Sequence, residues 1–268
     1  MTGAFMFRTA SVSHVGKVRK LNEDSALARP EIGLWAIADG MGGHGGGDVA
    51  SRAVVAALAR LAPQLSAAAL LSEFEACIVA VNAELRALAH SRGGSVVGST
   101  LVAMLVHGGH FACVWCGDSR LYLLRGGALA QISRDHSEVQ DLVDRGVLDG
   151  DEAKVWPRRN VVTRALGVAE QAELEIVDGP VLAGDKFLLC SDGLTAHVED
   201  DEIAASLAAE DPQTTCDELL ALTLQRGASD NVSLVAVACD ADMRTVRSDG
   251  AWRREIPERS GSGDRGLT

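Results

Sequence analysis

In three places in this 268-residue chain an apolar, strand-like run ends in an aspartate beside a glycine: Asp39-Gly40, Gly117-Asp118 and Asp192-Gly193. A further pair, Asp230-Asn231, stands just before the last such run, and Glu23-Asp24 follows an early one. Aspartate and glycine are ordinary turn residues, so a single pair marks only the end of a strand. The repetition constrains the fold more tightly. Strand ends on one edge of a sheet can bring carboxylates from distant parts of the chain together, and once together they repel unless a cation holds them. Oxygen-only donors favour hard divalent ions such as Mg²⁺ or Mn²⁺ over zinc. No His or Cys pair stands at ligand spacing among these positions. Two such ions can bridge a water, lower its pKa and aim it at phosphorus.

The hydrophobic pattern supplies strands to carry these residues. Strand periodicity is expected over residues 5–14, 33–38, 100–107, 110–116, 121–125, 128–132, 173–177, 186–190 and 232–238, and helical spacing over 48–61, 72–90, 137–145, 201–209 and 213–225. Residues 149–160 read as polar and irregular. Gly108-Gly109 and Gly126-Gly127 have the composition of hairpin turns. Hairpins outnumber strand–helix–strand crossovers, so the expected architecture is antiparallel sheets with helices on their outer faces.

Hydrophobic residues make up 47% of the chain, which excludes global disorder. A chain of this length buries roughly 70–75% of its unfolded surface and needs no disulfides. Its six cysteines accordingly show no scaffold spacing. Cys113 and Cys116 form a C-x-x-C, but in a strand positions i and i+3 face opposite sides, so both read as core residues. The first 17 residues lack a signal peptide's apolar core, and no stretch approaches the roughly 18 apolar residues of a membrane span. A reducing cytoplasm is the expected location.

The net charge of −12 and an aromatic content of 4% argue against a general nucleic-acid binder. Residues 244–268 carry six arginines against four carboxylates, leaving +2 there and −14 elsewhere. Periodicity disappears past residue 240, so the expected organisation is a folded domain over 1–240 and a flexible tail over 241–268.

Gly40-Met41-Gly42-Gly43-His44-Gly45 is a literal G-x-G-x-x-G between a strand and a helix, as in a dinucleotide-binding oxidoreductase. Two features weigh against that reading. Asp39 would set a carboxylate beside a pyrophosphate. The second strand such a unit requires about 20 residues on would fall at 58–66, which contains Pro63 and runs into helix.

Arg19-x-x-Asn22-Glu23-Asp24-Ser25, Asp39-Gly40-Met41-Gly42-Gly43-His44, Gly98-Ser99-Thr100, Gly117-Asp118-Ser119-Arg120, Ser191-Asp192-Gly193-Leu194-Thr195 and Asp230-Asn231-Val232 occur in this order. As an ordered set over residues 5–240 they resemble the bacterial branch of the metal-dependent type 2C (PPM) serine/threonine protein phosphatases. The resemblance implies an α+β fold, a four-layer α-β-β-α sandwich with two central antiparallel sheets flanked by helices. It implies two catalytic Mn²⁺ or Mg²⁺ ions, with water activated by the pair attacking phosphoserine or phosphothreonine. By resemblance, Asp39 bridges the ions, the Gly40 carbonyl helps hold one, and Asp192 and Asp230 complete the first ion's ligands. Glu23 supports the second ion, largely through water. Asp118 takes a third, weaker ion, Asp24 and Asn231 stand behind the ligands, and Arg19 grips the substrate phosphate.

The expected partners are phosphorylated proteins and an opposing serine/threonine kinase, with no nucleic acid and no membrane, for a protein acting as a monomer. The alternative within this fold is a regulatory pseudophosphatase that binds phosphoproteins without turnover. Where eukaryotic members place a histidine after the Asp-Gly pair this chain has Met41, which cannot donate a proton; His44 is the neighbouring histidine, and His136 and His197 carry no signal of their own. Residues 135–167 resemble the flap over the site in bacterial members, with Trp156-Pro157 where relatives often have His-Pro.

Overall fold

The computed structural model describes residues 5–43 and 45–241. His44 and nearly all of the expected tail lie outside them. The chain runs through β1 (Phe5–His14), β2 (Asp24–Arg29), β3 (Leu34–Met41), α1 (Gly46–Leu58), α2 (Ala67–Ser91), β4 (Gly98–Ser99), β5 (Leu101–His107) and β6 (His110–Cys116). It continues through β7 (Arg120–Arg125), β8 (Ala128–Gln131), α3 (Glu138–Asp144), α4 (Gly150–Lys154), β9 (Glu175–Pro180), β10 (Lys186–Cys190), α5 (Asp192–Thr195), α6 (Asp200–Leu207), α7 (Pro212–Gln225) and β11 (Val232–Ala241).

The strands form two sheets, ordered β1-β11-β10-β7-β8 and β2-β3-β5-β6-β9, with β4 paired to β3, and all these pairings are antiparallel. Alternation along each central strand divides its side chains between two apolar layers. On β5, Val102, Met104 and Val106 point between the sheets, where they meet Phe187, Leu189, Val235 and Val237. Leu101, Ala103 and Leu105 point the other way, onto Val54, Leu58, Phe74 and Ile78 of α1 and α2. The opposite sheet's outer face, with Leu188, Leu234 and Ala236, is covered by Ile203, Leu207, Cys216 and Leu219 of α6 and α7. The result is the expected α-β-β-α order. Cys113 lies between the sheets and Cys116 on the helix side, both buried among apolar residues.

Trp35 bonds the two sheets directly. Fully buried on β3, it donates its indole N–H to Thr9 Oγ1 on β1 at 3.0 Å and meets Phe7 edge-on at 5.2 Å.

The structure differs from the sequence expectation at several places. β2 was not foreseen: Glu23-Asp24 follows β1 as expected, but Asp24 also opens a strand of its own. Its partly buried small residues give no sharp alternation, and pairing with β3 creates the strand. Residues 149–160 contain α4, started by a reciprocal capping box between Asp149 and Glu152. β9 runs two to three residues later than expected because β6 sets its register, from Trp115 opposite Glu175 to His110 opposite Pro180. Pro180 is tolerated there because β9 is an edge strand. The dinucleotide reading fails: 59–66 leads from helix to helix, and β3 has antiparallel neighbours only.

Trp35→Ala should cost about 3–5 kcal/mol of stability in urea unfolding. A loss below about 1 kcal/mol would show that the layer between the sheets does not depend on this side chain.

Candidate metal centre

One cleft, of about 330 Å³, opens at the rim shared by the two sheets and is lined by Arg19, Glu23, Asp39, Gly40, Met41, Asp118, Asp192, Asp230 and Asn231. Asp39 lies near the end of β3, and its main chain is held by Ser99 of β4 and by Thr100, which links β4 to β5. Its N–H donates to Thr100 Oγ1 at 3.1 Å, and its carbonyl accepts the Thr100 N–H at 2.8 Å and the Ser99 hydroxyl at 3.1 Å. Asp24 stands directly opposite on β2. The Ser191 hydroxyl donates to Asp24 Oδ2 at 2.8 Å, while Oδ1 is buried with no partner among the described residues.

Asn231 fastens the 15–23 loop to the head of β11. Its amide donates to the carbonyls of Val15 and Leu21 at 2.9 and 3.0 Å, and its Oδ1 accepts the Glu23 N–H at 2.8 Å. The Glu23 carbonyl in turn accepts the Gly40 N–H at 3.0 Å. Asp192 is the first residue of α5 and shares the cleft with Asp39. Gly193 permits this placement, since a Cβ there would sit 1.9 Å from the Asn231 carbonyl oxygen.

The glycine-rich loop has a comparable origin. A Cβ on Gly40 would lie 2.0 Å from the Gly47 oxygen, so Gly40 allows the start of α1 to pack against β3. Close approach, not a pyrophosphate, accounts for this glycine. Arg19 lies over the cleft, where its Nη2 donates to Asp230 Oδ2 at 2.7 Å.

The electrostatics follow from this crowding. Enclosure by protein, then the charges of Asp24, Asp192, Asp118 and Asp230, raise the Asp39 carboxyl well above its ordinary range. Enclosure followed by Asp192 pushes Asp118 up to about 8. Asp192, through enclosure and Asp230, and Asp24, through enclosure, each reach about 6. These groups resist ionisation as placed, and a divalent cation would relieve the repulsion.

Among the described residues no three His, Cys, Asp or Glu side chains already form a closed ligand set. The donors nonetheless fit a hard divalent ion. They are carboxylates, mutually repelling, with an unpartnered buried oxygen on Asp24 behind them.

A family model described as protein phosphatase 2C matches residues 13–233. The chain belongs to this family. It is 40% identical over 231 residues to the serine/threonine protein phosphatase PstP of Mycobacterium tuberculosis, a match covering 86% of this chain but 44% of PstP. The chain thus spans under half the length of that relative. With the serine/threonine phosphatase stp of Listeria monocytogenes it shares 33% identity over 84% of its own length and 93% of the relative's. Among solved structures, PppA, a key regulatory component of T6SS in Pseudomonas aeruginosa, superposes with a TM-score of 0.83 at 47% identity, covering 88% of this chain and 100% of the solved chain. The PstP catalytic domain in complex with two manganese ions superposes with a TM-score of 0.78 at 38% identity, covering 88% and 99%.

Of the residues expected in the site, the structure places Arg19, Glu23, Asp39, Gly40, Asp118, Asp192, Asp230 and Asn231 around this cleft, while Asp24 stands opposite Asp39 on β2 without lining it. The sequence did not reveal the groups that hold them. Thr100, Ser99 and Ser191 stand inside the quoted motifs, and that placement was the available signal. His197, whose Nε2 accepts the Ser229 N–H at 3.0 Å beside Asp230, had none. Among the described residues no helix is long and apolar enough to cross a membrane.

These carboxyls bind protons more tightly folded than unfolded. The stability this confers is complete below the ordinary carboxylate range and is lost as pH rises through about 6 for Asp24 and Asp192 and about 8 for Asp118. In EDTA the chain should therefore melt lower at about pH 9 than the same chain carrying Asp118→Asn, with the gap closing towards about pH 5. A variant less stable than the parent at the higher pH would contradict the repulsion.

Proposed function

We propose that this chain is a Mn²⁺- or Mg²⁺-dependent protein phosphatase that hydrolyses phosphoserine and phosphothreonine in proteins. The observation that carries the reading is the meeting of Asp39, Asp118, Asp192 and Asp230 with Arg19 around one cleft. In this reading Asp39, the Gly40 carbonyl, Asp192 and Asp230 hold the catalytic ions, Glu23 supports the second and Asp118 takes a third. Bound ions would supply Lewis acidity towards phosphate and a nucleophilic water at neutral pH.

The protein's own groups bind and orient. Arg19 is half-exposed, and among the described residues only its Nη2 makes a hydrogen bond, so the rest of its guanidinium fork can meet phosphate oxygens. Asp230 anchors that fork at the cleft. Asn231 and Thr100 use their polar atoms on the backbone around Glu23 and Asp39. Met41 lines the cleft without a proton to give, and no histidine is among its described lining residues.

The substrates of this reading are phosphoproteins in the cytoplasm, opposite a serine/threonine kinase, for a monomer whose phosphatase domain spans 1–240. A regulatory protein without turnover is disfavoured by the complete carboxylate set.

Hydrolysis of an aryl phosphate and of a phosphothreonine peptide should require Mn²⁺ or Mg²⁺ and stop in EDTA. Asp192→Asn should reduce it at least about a hundredfold while leaving the fold intact. Activity that persists in EDTA would refute the metal-dependent reading. Arg19→Ala should lower kcat/KM by about ten- to a hundredfold, mainly through KM, as expected for a lost charge-assisted contact. An unchanged KM would remove Arg19 from phosphate binding.

A further inference from the structure

His136 is 6% exposed and sits between the Gly117-Asp118 turn and the returning end of the 135–167 segment. Its polar atoms are all engaged. Its N–H donates to the Gly117 carbonyl at 2.9 Å, and its own carbonyl accepts the Thr163 N–H at 2.8 Å. Nδ1 accepts the Gly117 N–H at 3.0 Å. An accepting Nδ1 places the neutral ring's proton on Nε2, which lies 3.3 Å from both Glu175 Oε1, its acceptor, and Arg164 Nη1, which itself donates to Glu175. The ring stacks on Trp115 with centroids 6.0 Å apart.

The residue before it grips the other side of the same turn. Asp135 receives Arg120 through Nε at 2.9 Å and Nη2 at 2.7 Å. Between these two holds lie Asp118 and Ser119, and Ser119 is bonded to the Thr100 hydroxyl at 2.8 Å. Asp118 thus owes its position in the cleft to a turn clasped from outside by Asp135-His136. The same segment reaches the cleft, because Ser137 pairs with Val162, a lining residue.

We propose that His136 is a positioning residue: by accepting the Gly117 N–H it presents Asp118 to the cleft, and through Thr163 it couples that turn to the 135–167 segment. The inference rests on the reading of Asp118 as a metal-holding carboxylate. Groups that orient ligands from behind are worth about ten- to a hundredfold in metal affinity. A histidine that merely filled the space beside Trp115 would be replaced equally well by Asn or Gln.

The test is a calorimetric Mn²⁺ titration of the full chain, compared with amide exchange at Gly117 in EDTA. His136→Asn keeps an acceptor near the Nδ1 position, whereas His136→Gln places its polar group near Nε2. Asp118→Asn should abolish the weakest Mn²⁺ step. His136→Ala and His136→Gln should weaken that step by about ten- to a hundredfold, leave the tighter steps unchanged and speed exchange at Gly117. His136→Asn should stay near the parent in both readouts, and His136→Ala should add nothing on top of Asp118→Asn. If the alanine variant does not fold, the Asn–Gln comparison decides alone. Equal impairment in Asn and Gln, or an unchanged weak step in Ala and Gln while Asp118→Asn loses it, overturns the proposal. A parental titration in Asp118→Asn overturns the reading of Asp118 itself, and the proposal with it.

Discussion

Like charge crowded at one rim is the constraint on which the rest of this structure depends. Asp39, Asp24, Asp118 and Asp192 are enclosed by protein and by one another, and each is pushed towards its neutral form. The groups that secure the two strand-borne ones, Asp24 and Asp39, are uncharged: the hydroxyls of Ser99, Thr100 and Ser191 and the main chain. Neutral donors fix geometry without cancelling the negative potential that a divalent ion needs. A lysine or arginine in their place would satisfy the carboxylates and occupy the ion's position.

Holding such a site requires a rigid frame, and the sandwich supplies one. Three apolar layers pack the sheets against each other and against the helices. Native proteins are only marginally stable, so that packing must offset the repulsion at the rim. The frame also places the carboxylates economically. Asp39 and Asp24 are opposed by strand register, Asp192 and Asp230 border two adjacent strands of the other sheet, and Asp118 sits on a connection that crosses from one sheet to the other. α3 and α4, neither of which has a fully buried residue, lie in the 135–167 segment that reaches the opening through Val162.

Most central strands and the long helices were legible because their periodicity is local and strong. The misses share a cause. β2 exists because β3 offers it a partner, β9 takes its limits from β6, and α4 depends on side-chain capping more than on an apolar face. In the site, the carboxylates were legible because acid beside glycine repeats at strand ends. Ser191, His136 and His197 were not. A hydroxyl or imidazole that receives or donates one hydrogen bond leaves no periodic trace, and its partner can lie far away, as Ser191 and Asp24 do.

The chain's sequence alone determined which residues could serve as hard oxygen ligands, the order of the elements carrying them, and the family resemblance, since these reside in local pattern and motif order. Tertiary structure alone decided that Asp24 faces Asp39, that Arg19 rests on Asp230, and that the glycine loop serves close packing of α1. It also decided how far each carboxyl is driven from its ordinary pKa. Desolvation and Coulomb repulsion depend on distance and enclosure in space, and those are set by neighbours as remote in sequence as Arg19 and Asp230.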